Sequence, residues 1–168
     1  MKLRTYIALL LYLLIISCTD RDYILPENAL ELLTNNSSKT WKLAKRYNDS
    51  HKMTMGDCFR SYRVTYFVNG ITTDNNSENN DCGPSLEANW NFHTDDNGSF
   101  IKIKGEKVKA LLHQDKDYKY FKIFELTDSL LVIKFRHKQV GNTSRLITDY
   151  LVPEHIKVND MMFVNKSY

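Results

Sequence analysis

The clearest structural signal in this sequence lies in residues 118–136, which read YKYFKIFEL, then TDS, then LLVIKFR. The first and last of these runs are rich in aromatic and β-branched residues, which favour a pleated, half-buried surface. The middle run, Thr127-Asp128-Ser129, is typical of a turn. The segment therefore predicts an antiparallel hairpin with strands at 118–126 and 130–136.

Shorter runs of alternating apolar and polar residues lie on both sides of this hairpin. They predict strands at 40–45, 62–68, 87–94, 99–104 and 145–152, with further short strands at 108–112 and 161–164. Turn residues separate these runs, for example Asn69-Gly70, Gly141-Asn142 and, most clearly, Asp95-Asp96-Asn97-Gly98. Eight or nine short strands at fairly regular spacing favour an antiparallel barrel or a sandwich.

Two other segments are not predicted as strands. Pro26 and Glu27 suit the start of a helix, so a brief helix is predicted that ends near Leu33. The run from Thr73 to Asp81 is too polar to pack against a core and predicts a surface loop.

The first seventeen residues predict an export signal. Lys2 and Arg4 are followed by eleven uncharged residues, 6–16, which suits a secretory signal and is shorter than the roughly 20 residues of a membrane span. The run ends in Ile15-Ile16-Ser17-Cys18, which resembles the lipobox of bacterial lipoproteins. The resemblance implies that Cys18 carries acyl chains such as palmitate and becomes the first residue of the mature protein. An ordinary signal peptide with a chance cysteine is the alternative.

Cys58 and Cys82 remain once Cys18 is assigned to lipid. An even pair of cysteines in an exported, oxidising compartment predicts a disulfide, which would staple the polar loop to the rest of the domain. The closed loop has 25 residues counting both ends, for which the chain-entropy estimate is about 3 kcal/mol. A metal site is the weaker alternative, because only His51 stands near either cysteine in the sequence.

The charge balance argues against one class of partner. The chain has 23 basic and 20 acidic residues, and removal of the leader with Lys2 and Arg4 leaves the mature chain close to neutral. A nucleic-acid surface needs several clustered Lys or Arg side chains, so no nucleic-acid partner is predicted. The basic residues of 102–109 alternate with apolar ones, which predicts the solvated face of a strand, with an anion site as the alternative.

Four segments of the mature chain share a further pattern. They are Thr40-Trp41-Lys42-Leu43 opening the first strand, Asp57-Cys58 ahead of YFVNG at 66–70, Cys82 ahead of Trp90-Asn91-Phe92, and FELTDSL at 124–130. Together they resemble the lipocalin-like lipoproteins of Gram-negative bacteria. The resemblance implies an all-β fold, an eight-stranded antiparallel up-and-down barrel with a short helix before it and often a small apolar ligand in its mouth. It also implies that Trp41 plugs one end of the barrel.

No catalytic constellation is predicted. The histidines are scattered without zinc-type spacing, and neither a Gly-x-Ser-x-Gly elbow nor a phosphate-binding glycine loop occurs. The run 74–78 has oxygen ligands at alternate positions like a calcium loop, but Asn79 stands where such a loop requires Gly. We therefore predict that the protein is not an enzyme and has no catalytic residues, no cofactor and no metal ligands.

The predicted function is binding of a small hydrophobic ligand by a membrane-anchored barrel. The candidate lining consists of apolar and aromatic residues on alternating strand faces: Trp41, Tyr62, Val64, Tyr66, Trp90, Phe92, Phe121, Ile123, Leu131, Ile133, Phe135 and Tyr150. The same side chains could instead fill the interior, since eight strands leave room for little more. The protein would then be a non-enzymatic accessory of an envelope assembly, contacting a protein partner through its outer surface. A protease inhibitor presenting the segment 58–82 is a third reading.

Three segments follow from these predictions: a signal peptide at 1–17 that is removed, an anchor, tether and short helix at 18–39, and a lipocalin-like barrel at 40–168. The predicted location is the cell envelope, with lipidated Cys18 holding the protein in a membrane. Thr19 after the cysteine, in place of Asp, favours the outer membrane by resemblance.

Overall fold

The computed structural model describes residues 23–112, 115–138 and 143–158. The predicted signal peptide, the lipidation site at Cys18, the Gly141-Asn142 turn and the predicted strand at 161–164 lie outside these residues. Within them, no helix is long and apolar enough to cross a membrane.

The described chain forms one antiparallel sheet that closes on itself. Its strands are β1 (Ser38–Asn48), β2 (His51–Lys52), β3 (Arg63–Phe67), β4 (Ile71–Asp74), β5 (Glu87–Asp95), β6 (Gly98–Lys104), β7 (Tyr118–Leu126), β8 (Leu131–Lys138) and β9 (Ser144–Pro153). From β3 onward each strand pairs with the next, β1 pairs with β3, and β9 returns to β1. The result is an eight-stranded up-and-down barrel, with β2 as an extra strand beside the end of β1.

The hairpin at 118–136 is confirmed, since β7 and β8 pair in antiparallel register through Ile123 and Ile133. The turn at 95–98 is confirmed as well, because Asp95 pairs with Gly98. Gly98 has a φ of 116°, a backbone conformation that favours glycine.

Helices lie at both ends of the barrel. They are α1 (Ala29–Thr34), α2 (Asp57–Ser61) and α3 (Glu106–Leu111), with a short 3-10 helix at Asn76–Glu78. The brief helix predicted near residues 26–33 is thus present as α1. The strand predicted at 108–112 is wrong, because Val108, Leu111 and Leu112 are spaced as one face of a helix and all three pack against the core.

The polar loop predicted from Thr73 begins later than expected. Ile71–Asp74 forms β4, whose β-branched residues suit a strand. Thr72 is almost fully buried, and its hydroxyl donates a hydrogen bond of 3.0 Å to the carbonyl oxygen of Thr65 on β3. Thr73 and Asp74, the first two residues of the predicted loop, pair with Thr65 and Val64 of β3 and so belong to the strand.

One end of the barrel is closed by α1 and the turn between β7 and β8. Trp41 is fully buried there and its indole Nε1 donates a hydrogen bond of 3.0 Å to the carbonyl oxygen of Leu33 on α1. Lys39 Nζ lies 4.3 Å from the centre of the Trp41 ring and donates to the carbonyl oxygens of Leu32 and Asp128, at 2.9 and 2.8 Å. Trp41 therefore plugs this end of the barrel, and its hydrogen bond to α1 holds it in place.

Candidate ligand-binding site

The interior of the barrel is packed toward the closed end and hollow toward the other. Ile101, Ile123 and Leu131 are completely buried in the packed part. Beyond them a cavity of about 380 Å³ extends to the end of the barrel that carries α2 and α3. This volume lies within the range of roughly 300–1,000 Å³ that is usual for small-molecule sites.

The mouth of the cavity is built from short helices and the loops beside them instead of strands. Phe59 of α2, Leu112 after α3 and Asn76 of the 3-10 helix all contribute to it. The predicted disulfide joins Cys58 in α2 to Cys82, with the two Cα atoms 5.3 Å apart, and both cysteines line the cavity. The disulfide thus fixes α2, which precedes β3, to the loop that follows β4.

Half of the predicted lining is found at the cavity. The six residues that line it are Tyr62, Val64, Tyr66, Phe121, Ile133 and Phe135. Five others belong to the packed core: Trp41, Trp90, Phe92, Ile123 and Leu131.

The ring of Trp90 explains why part of the predicted lining is core. It meets the rings of Tyr66 and Phe92 edge to face, with centroid distances of 5.5 and 5.3 Å, and its Nε1 donates to the carbonyl oxygen of Phe67. The sequence left open a filled interior or a ligand cavity, and the barrel has a packed part and a cavity.

Tyr150 does not line the cavity, which corrects the prediction. It pairs with Val132 and Lys45, whereas the cavity residues of β9 are Ile147, Asp149 and Leu151. Its ring meets that of Tyr47 at a centroid distance of 5.9 Å. Because both faces of β9 are buried, the apolar character of Tyr150 does not reveal which face it occupies.

Charged side chains reach into the cavity, and none of them belongs to the predicted lining. Arg46 of β1 donates two hydrogen bonds of 2.6 Å to Asp149 of β9, from Nε to Oδ1 and from Nη2 to Oδ2. Burial raises the pKa of the Asp149 carboxyl, and the hydrogen bonds from Arg46 act in the opposite direction. A bidentate pair of this kind satisfies both carboxylate oxygens.

Lys119 of β7 also points into the cavity. Its side chain is 5% exposed and its Nζ lies 4.7 Å from the ring centre of Phe135 and 5.6 Å from that of Phe121. The pKa of Lys119 is lowered to about 8, mainly by burial and also by the charge of Arg46, while Asp149 acts in the opposite direction. Among the described residues, no acceptor or carboxylate forms a hydrogen bond or ion pair with this ammonium.

Two phenol groups complete the polar part of the cavity. Burial raises the pKa of both Tyr62 and Tyr66, and the negative charges of Asp74 at Tyr62 and of Asp149 at Tyr66 add to the shift. Neither hydroxyl forms a hydrogen bond with another described residue. Both phenols stay protonated at neutral pH and can donate a hydrogen bond to a ligand.

Asp74 lines the cavity at β4, three strands around the barrel from β7. Its Oδ1 accepts hydrogen bonds from the backbone N–H groups of Asn76 and Leu86, at 3.2 and 3.1 Å. Burial raises the pKa of its carboxyl and these bonds act against the shift. The described residues contain no group of three or more His, Cys, Asp or Glu side chains placed to hold a metal ion.

Comparisons with known proteins identify the family of this chain. The sequence profile of the lipocalin-like domain family matches residues 38–133, from the first residue of β1 into β8. A similar solved structure is a lipocalin-like protein from Bacteroides uniformis ATCC 8492, which is 12% identical, with 70% of this chain and 97% of that chain covered and a TM-score of 0.45. No curated protein matches the chain.

Proposed function

The chain belongs to the lipocalin-like domain family, whose profile matches more than half of its length, and we propose that it binds a small hydrophobic molecule in the barrel cavity. The observation that supports this proposal is the unfilled part of the interior. Eight strands leave just enough room for side chains to fill the barrel or for one small ligand. Here a space of about 380 Å³ remains between mostly apolar walls.

We also propose that the protein is a lipoprotein of the outer membrane and that it is not an enzyme. The export signal and lipobox-like ending at 15–18 support a lipoprotein that is anchored through Cys18, with the outer membrane as its site. In the cavity, Arg46 and Asp149 are hydrogen-bonded to each other. This pairing supports a binding protein over an enzyme.

The experiment uses the full-length lipidated protein in nanodiscs, with thermal unfolding followed by tryptophan fluorescence. Both tryptophans of the chain, Trp41 and Trp90, lie in the barrel, so the signal reports the domain. A neutral apolar probe, 1-decanol, is expected to raise the unfolding temperature, because a ligand at 100 times its Kd stabilises by about 2.7 kcal/mol.

Two variants place a ring in the cavity. Val64→Phe and Ile147→Phe each enlarge a residue of the cavity wall, and both are expected to fold and to lose the shift with 1-decanol. The matched control is Val68→Phe, at a position 44% exposed beyond the end of β3, which should keep it. If folded Val64→Phe and Ile147→Phe proteins still respond like the wild type, the cavity is not the site and the outer surface becomes the functional part.

A further inference from the structure

Lys119 is a cation in an apolar cavity without an acidic partner of its own. Its ammonium lies over the faces of two phenylalanine rings, and it forms no ion pair or hydrogen bond with another described residue. A buried charge is costly unless it is paired and hydrogen-bonded. A charged side chain that lacks such partners inside a cavity is therefore a candidate for binding a ligand.

The other charges of the cavity are already satisfied. Asp149 gives both oxygens to Arg46, and Oδ1 of Asp74 is held by two backbone N–H groups at the far wall. His137 of β8 and Tyr62 and Tyr66 also line the cavity. None of these groups supplies a free anion to Lys119.

We infer that the ligand is an amphipathic anion, with an apolar body in the cavity and a carboxylate, or a similar head with one negative charge, that accepts a hydrogen bond from Lys119 Nζ. The inference rests on the proposed function, because it names the ligand class of the same site. Tyr66 and Tyr62 supply two further donors close to the Arg46–Asp149 pair, whose charge reaches both phenols. Lys119, Tyr62 and Tyr66 are thus three donors of the cavity that have no acceptor among the described residues.

The test compares three probes that differ only in the head: decanoate, 1-decanol and decylamine. Apparent Kd values come from the dependence of the unfolding temperature on probe concentration, with the full-length protein in nanodiscs at pH 7. We expect decanoate to bind at least tenfold more tightly than 1-decanol, and decylamine to bind most weakly. Charge-assisted hydrogen bonds are roughly twice as strong as neutral ones, which sets the direction of this difference.

Variants separate the head site from the rest of the cavity. Lys119→Met should weaken decanoate binding at least tenfold and leave 1-decanol binding within twofold, while Lys119→Arg should keep most of the decanoate affinity. Lys122→Met is the matched control, because Lys122 lies on the same strand, pairs with Lys134 and is on the other face from Phe121. It should bind both probes like the wild type.

The outcomes distinguish this inference from the proposed function. If decanoate and 1-decanol bind equally and Lys119→Met changes neither, the cavity binds apolar molecules but the anionic head is wrong. Preferred binding of decylamine leads to the same conclusion. If none of the three probes binds the wild type, the proposed function fails and the inference fails with it.

Discussion

Lys119 and Arg46 carry positive charge into the same apolar cavity in different ways. Arg46 is neutralised by two short hydrogen bonds to Asp149, whereas Lys119 contacts the faces of Phe121 and Phe135. Cation–π contacts recover only part of the free energy that a buried ammonium loses with its water. Lys119 is therefore expected to lower the stability of the empty protein.

The first prediction concerns the effect of Lys119 on stability. The folded protein holds the pKa of Lys119 at about 8, below its usual 10.5. Below pH 8 the lysine is charged in both states, so its full cost is present. We expect Lys119→Met to raise the free energy of unfolding at pH 7 by about 2 kcal/mol in urea titrations.

The pH dependence of that gain is a sharper check. As pH rises from 8 to 10.5, the folded wild type loses the proton while the unfolded chain keeps it, so the wild type gains stability. The difference between Lys119→Met and wild type should therefore shrink across this interval. Arg46, Asp149, Asp74, His137, Tyr62 and Tyr66 are the other titratable or charged groups around the cavity, and they are present in both proteins. A difference that stays constant with pH would show that the methionine stabilises only by packing.

The sequence could have revealed Lys119 but neither Asp149 nor Arg46. Lys119 is in phase with Phe121 and Ile123, so strict alternation predicts that it points inward. Both faces of β9 are buried, so alternation does not show which way Asp149 points. Charged side chains are mostly exposed in folded proteins, so a lining predicted from apolar and aromatic residues leaves Lys119 out. Arg46 is out of phase with Trp41 and Leu43, because the register between β1 and β9 shifts between Leu43 and Lys45. A β-bulge of this kind reverses the side-chain parity of the residues that follow it.

At the scale of elements, the strands were easier to predict than the segments at the mouth. The 118–126 strand was predicted with its observed bounds, because both arms of its hairpin carry strong β propensity. The helices α2 and α3 have five and six residues, too short for helical periodicity to stand out. Tertiary contacts, such as the Arg46 guanidinium over the Phe59 ring at 4.7 Å, hold α2 in place.

The disulfide gives a prediction for these mouth segments. We expect the Cys58→Ser/Cys82→Ser double variant to unfold with a free energy lower by about 3 kcal/mol, because the loop between the two positions is no longer closed in the unfolded chain. Hydrogen exchange should speed up in α2 and at 76–82, while the amides of β7 and β8 change little. The measurement is urea unfolding together with exchange followed by mass spectrometry.

A reducing agent provides the control for this variant. Tris(2-carboxyethyl)phosphine should lower the stability of the wild type to that of the double variant and leave the double variant unchanged. An unaffected wild type would mean that closure of this loop does not stabilise the domain.

At the scale of the whole molecule, the barrel has distinct ends. Tyr23, the first described residue, donates a hydrogen bond of 3.0 Å from its hydroxyl to the carbonyl oxygen of Leu126 at the closed end. Cys18 is five residues earlier in the sequence, so even an extended chain places it within about 18 Å of Tyr23. The nine residues of β7 span about 30 Å along the strand. An anchor at Cys18 would therefore hold the closed end toward the bilayer and the mouth away from it.

The last prediction tests this orientation together with the anchor. In nanodiscs that contain a headgroup spin-labelled lipid, NMR signals of the closed-end turns at Asp96-Asn97 and Asp128-Ser129 should broaden more than those of α2. A soluble gadolinium chelate should broaden both ends alike, because both are exposed to water.

Cys18→Ala should lose the mass of the acyl chains, leave the membrane fraction and lose the lipid-dependent broadening. Stronger broadening at α2 would place the mouth at the membrane, and membrane retention of Cys18→Ala without a change in mass would exclude the lipid anchor. Because the tether is shorter than the strands are long, the ligand of an anchored barrel is expected to enter from the aqueous side.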